Sequence, residues 1–225
     1  MTRIDAQQAV VTLYLRLNGY FTSGFIVHSD VPGQNRTELD VLAVRLPHNS
    51  EPEREVGGAP ELDRWDGGID FIIGEVKSRR QPLQFNGAIR TSSQAVASIL
   101  RWCGHLTEDE VLALTDPVRA ALGPAAGATG APTVMCPRNA RIRAILFRPD
   151  QVAPRRPQQS WYVPGTPLFR YIWECLRPKD PRADCATTYD FGRWGSDLER
   201  VVRYFKDPAR DAPGSFAELA RHLGL

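Results

Sequence analysis

The stretch from Ile69 to Lys77 constrains this chain more than any other. Phe71-Ile72-Ile73-Gly74 is an apolar run of strand composition, and it ends in Glu75-Val76-Lys77. In a strand, residues i and i+2 project to the same face, so Glu75 and Lys77 stand together at the end of a buried element. A charged pair in that setting is costly unless it is engaged. The lysine is itself unusual. The chain holds 28 basic residues, and lysine occupies only positions 77, 179 and 206. Arginine stays protonated, whereas a lysine amine can exchange a proton.

The surrounding pattern supplies an α/β context for this strand. Val10, Leu13, Tyr14 and Leu17 recur at helical spacing over Asp5 to Asn18, with Gly19 as a stop. Gly24 to His28 reads as a first strand, the segment around Pro32-Gly33 as a turn, and Thr37 to Arg45 as a second strand. Strict alternation puts Leu39, Val41 and Ala43 on one face of that strand and Glu38, Asp40 and Leu42 on the other. Pro47 to Gly68 reads as an inserted loop. Helices follow at Thr91–Cys103 and at Glu108–Leu122, the second interrupted near Pro117; Gly123–Gly130 reads as a small-residue loop. Arg141–Arg148 is a further strand, and Leu168–Leu176, Ser196–Phe205 and Ser215–Leu223 read as helices, the last capped by Ser215. This order implies a sheet with helices on its faces.

Length and composition narrow the class. With 225 residues and 42% of them hydrophobic, the chain suits one globular domain. Its longest apolar runs fall far short of the ~20 residues that a bilayer requires, and the amino-terminal residues lack a signal-peptide pattern, so a cytoplasmic protein without a membrane partner is expected. Cys103, Cys136, Cys175 and Cys185 form no CxxC pair, which favours reduced thiols over a zinc site. A net charge of +2 does not by itself identify a nucleic-acid partner. Gly123–Gly130 lacks the lysine and hydroxyl of a nucleotide-binding loop.

Asp40 lies mid-strand among Leu39, Val41 and Leu42, where an acid needs a partner. If the second and third strands pair, Asp40 comes beside Glu75. Two close carboxylates repel one another and are stabilised by sharing a cation or a proton. Hard divalent ions prefer such oxygen ligands. A neighbouring amine can orient or deprotonate an attacking water, an assembly suited to phosphodiester hydrolysis.

Asp40 followed by Glu75-Val76-Lys77 on the expected neighbouring strand resembles the PD-(D/E)XK nuclease superfamily, over roughly residues 5 to 148. The resemblance implies a restriction-endonuclease-like core, a central mixed β-sheet flanked by helices. Residues 1–150 would form that core, with 47–68 inserted, and 151–225 a helical extension packed on it within one domain. It implies that Asp40, Glu75 and the carbonyl of Val76 bind Mg²⁺ or Mn²⁺ and that Lys77 serves the attacking water. It implies a DNA endonuclease, with RNA a weaker candidate, in bacterial defence or DNA processing. A homodimer or a partner protein would supply specificity. Gln94 matches the glutamine that such proteins often carry on the helix after this strand.

Two departures stand out. Leu39 occupies the motif's proline position, and the first helix offers Gln7 and Gln8 where many members carry a metal-binding glutamate. Gln8 can ligate only as a neutral oxygen, and Glu38 is available to compensate or to form an edge salt bridge. These departures support the alternative function, a catalytically inactive subunit of the same fold that binds nucleic acid or scaffolds a complex. Arg79 and Arg80 read either as phosphate contacts or as a solvated turn. Arg138, Arg141 and Arg143 read either as a phosphate-binding ridge or as a solvated sheet face. Trp102, Trp161, Trp173 and Trp194 read as packing residues.

Overall fold

The computed structural model describes residues 1–28, 35–51, 54–124, 129–152, 161–178 and 191–225. The turn expected at Pro32-Gly33, the centre of the Gly123–Gly130 loop, Arg155-Arg156 and Cys185 lie outside them.

Helix α1 (Arg3–Leu17) begins with a capping box in which Thr2 accepts from the Asp5 N–H and the Asp5 carboxylate accepts from the Thr2 N–H. Strands β1 (Phe21–His28), β2 (Asn35–Arg45) and β3 (Ile69–Val76) follow, the first two beginning earlier than sequence periodicity suggests. The later elements are α2 (Gly87–Thr91), α3 (Ser93–Trp102), α4 (Glu108–Ala121), β4 (Thr133–Cys136), β5 (Ala140–Arg148), β6 (Tyr162–Pro164), α5 (Gly165–Leu176), α6 (Ser196–Lys206) and α7 (Phe216–Leu223). They build a six-stranded mixed sheet in the order β1-β2-β3-β5-β4, with β6 continuing alongside β5. β1, β2 and β3 are antiparallel neighbours, whereas β3 and β5 run parallel.

The sheet is covered on both faces, which explains why β3 and β5 are almost continuously buried, the charged side chains they carry included. On one face, α1, α5, α6 and α7 pack Val10, Tyr14, Phe169, Val201 and Phe216 against Val41, Ala43, Ile72, Val76, Ile145 and Phe147. On the other, α2, α3 and α4 pack Ile89, Val96, Ile99 and Val118 against Leu39, Leu42, Phe71, Ile73, Ile142, Ala144 and Leu146.

Three local features differ from the sequence expectations. The helix expected at Thr91–Cys103 is α3 and starts at Ser93, because Ser92 breaks from helical geometry to cap it through the Ala95 N–H; the short α2 before it, ending at Thr91, was not expected. Helix α4 passes through Pro117 without interruption, its lost backbone bond outweighed by burial of Val111, Val118 and Leu122. Trp102 is not packed but 62% exposed at the end of α3, with Phe25 beside it at a centroid distance of 5.4 Å. Ser215 caps α7 by accepting from the Glu218 N–H, as expected. No helix among the described residues is long and apolar enough to cross a membrane.

Candidate active site

A bulge in β2 creates the site. Ser23 pairs with Leu42 and Phe25 with Leu39, so two steps along β1 correspond to three along β2. The extra residue falls at Asp40–Val41 and breaks the expected alternation: Leu39 joins Leu42 in one core layer, while Val41 and Ala43 join the other. Bulges re-aim side chains in this way. The ladder between β2 and β3 reaches Val41 opposite Gly74, and one further step sets Asp40 across from Glu75.

Asp40 sits at this seam with both carboxylate oxygens engaged. Oδ2 accepts from the backbone N–H of Val76 at 2.8 Å, and Oδ1 accepts from Gln8 Nε2 at 2.8 Å. Helix α1 thus delivers Gln8, rather than Gln7, to the site; Gln7 is buried with its amide nitrogen unpartnered.

Glu75 is fully buried, and Lys77 is 7% exposed. Lys77 Nζ lies 2.7 Å from Glu75 Oε2. The backbone N–H of Asn86 donates to both Glu75 oxygens, at 3.1 and 2.9 Å. The side chain of Asn86 accepts from Lys77 Nζ at 2.8 Å. Burial pushes the Glu75 carboxyl above its ordinary range; Lys77 and the Asn86 N–H oppose that shift, and the charge of Asp40 adds to it.

The donor set suits a hard divalent cation. Asp40 and Glu75 could offer oxygen ligands only, and Mg²⁺ retains water in its remaining positions; Val76 meets Asp40 through its N–H. Asp40 and Glu75 bring two negative charges against the single amine of Lys77, so a further cation relieves their repulsion. No group of three His, Cys, Asp or Glu side chains able to hold a metal occurs among the described residues, so Gln8 leaves this site with two carboxylates.

The remaining candidates divide clearly. Glu38 and Gln94 are exposed, on β2 and on the first turn of α3. Arg79 and Arg80 are exposed immediately beyond Lys77, and the turn that carries them is anchored. The Arg79 N–H donates to Asp150 at 2.9 and 3.0 Å, and Arg148 donates to the Gln81 carbonyl at 2.6 Å.

Arg141 and Arg143 form neither a phosphate-binding ridge nor a solvated face. They are 6% and 2% exposed and converge on the fully buried Asp70, which also accepts from Tyr20 Oη at 2.6 Å. Parallel pairing sets Asp70 beside Arg141 and places Arg143 two residues along the same face. Arg138 pairs with Glu110. Asn86 was not legible as a site residue; its sequence signal, an asparagine before a short helical segment, has the ordinary meaning of a cap.

No family model, no curated protein and no solved structure matches this chain.

Proposed function

We propose that this chain is a metal-dependent nuclease that hydrolyses phosphodiester bonds, acting on DNA as an endonuclease through a restriction-endonuclease-like core. The observation that carries the reading is the bonded convergence of Asp40 with Glu75-Val76-Lys77 across two neighbouring strands. Asp40, Glu75 and the Val76 carbonyl would hold one Mg²⁺ or Mn²⁺, which when bound supplies charge stabilisation for the phosphoryl oxygens and makes the attacking water more acidic. Lys77 orients that water and takes or holds a proton at Nζ. Its charge also opposes the negative charge that develops at phosphorus. Arg79 and Arg80 extend from the anchored turn to bind flanking phosphates, as point contacts that carry affinity rather than sequence information. One site cuts one strand, so cutting both strands calls for a homodimer or for successive nicks.

A second reading, an inactive nuclease-fold subunit that binds nucleic acid or scaffolds a complex, rests on Gln8, whose neutral amide occupies Asp40 Oδ1. Plasmid incubation with Mg²⁺ or Mn²⁺ separates the two. The wild type should nick DNA, and Glu75→Ala and Lys77→Ala should each lose about a hundredfold or more of the rate. Cleavage by both variants at the wild-type rate would refute the site. A wild type that binds DNA yet cuts no substrate would favour the second reading.

A further inference from the structure

We infer that Asn86 is a positioning residue for Lys77, holding the amine so that one N–H remains available to a reacting group; its catalytic consequence rests on the nuclease reading above. Asn86 is the cap residue of α2, with non-helical backbone geometry. A capping asparagine ordinarily turns its side chain onto the N–H groups of the first helical turn. Here no side-chain capping bond is made. The side-chain oxygen instead accepts from Lys77 Nζ at 2.8 Å, while the Asn86 backbone N–H holds Glu75. One residue therefore fixes both members of the ion pair.

Counting donors shows what this achieves. A lysine ammonium has three N–H groups. One lies on Glu75 Oε2 and one on Asn86 Oδ1, which leaves a single donor. Two fixed partners define the direction of the third N–H. With Glu75 alone, the amine could rotate about its flexible stem and fold onto the carboxylate. A neutral acceptor suits this task, because it orients the amine without adding negative charge beside Glu75 and Asp40. The cost falls on α2, which forgoes its side-chain cap.

The chain's three lysines make the test direct. The full-length, metal-free protein is treated with a limiting amount of an amine-acylating reagent, and peptides bearing Lys77, Lys179 and Lys206 are quantified by mass spectrometry. In Asn86→Ala, and in Asn86→Ser, which keeps a good capping residue but has too short a side chain to reach the amine, acylation of Lys77 should rise severalfold relative to Lys206. Asn86→Asp, which retains an oxygen at the same place, should restore protection. In DNA cleavage, Asn86→Ala should lower kcat by about tenfold with KM unchanged. Unchanged Lys77 acylation in the serine variant overturns the inference, as does a rise shared equally by Lys206. A selective rise at Lys77 in a protein that cuts no DNA upholds the positioning role and sinks the nuclease reading instead.

Discussion

Replacing Asp70 by Asn tests the buried charge network and, with it, the reassignment of two arginines. Asp70 is fully buried. It accepts from Arg141 at 3.1 Å through both Nε and a terminal nitrogen, and from Arg143 at 3.0 and 2.6 Å. Asparagine keeps the shape but removes the charge and turns a donor toward the guanidiniums. Removing one partner of a buried ion pair costs about 3–5 kcal/mol, because the remaining charge stays desolvated. Asp63 cannot replace it, since its side chain is 87% exposed. For a domain of this size, each kcal/mol lowers Tm by roughly 2–4 °C, so the expected loss is about 6–20 °C. Thermal unfolding followed by circular dichroism reads this directly, and DNA affinity measured in parallel should not change. An unchanged Tm with tighter DNA binding would refute the reasoning and return Arg141 and Arg143 to the nucleic-acid surface.

Other expectations are equally specific. Gln8→Glu should tighten Mn²⁺ binding about tenfold, or ~1.4 kcal/mol, while lowering metal-free stability by about 1–2 kcal/mol through repulsion with Asp40; calorimetry and Mn²⁺-dependent Tm shifts measure both. Arg79→Ala combined with Arg80→Ala should weaken DNA binding across sequences and reduce the salt dependence by about two counterions, with no loss of Tm. Burial pushes the Cys103 thiol up to about 12 and the Cys136 thiol to about 11. The thiolate is the reactive form, so raised values mean less of it at any lower pH. At pH 8, Cys103 should alkylate about a thousandfold more slowly in the native protein than after denaturation.

Much of the fold was legible because its signals are local. The period of α1, the apolar runs of β3 and β5 and the Ser215 cap follow from residue types and spacing alone. Strands β4 and β6, at four and three residues, are too short to carry a period, and pairing with β5 defines them. Within the site, Glu75 and Lys77 were readable from i,i+2 geometry. Three other features were not. The β2 bulge depends on register with β1, a relation between two strands that leaves no mark on β2 itself. Arg141 and Arg143 look solvated in sequence because nothing near them pairs with them; their carboxylate lies 71 and 73 residues away. Gln7 and Gln8 were indistinguishable until helix phase directed Gln8 to Asp40.

The claim that Asp40 and Glu75 form one cation site is tested most directly by calorimetric titration of the protein with Mn²⁺. The account predicts one Mn²⁺ per chain, with Kd weakened by about tenfold or more in both Asp40→Asn and Glu75→Gln. Affinity equal to wild type in either variant would contradict it.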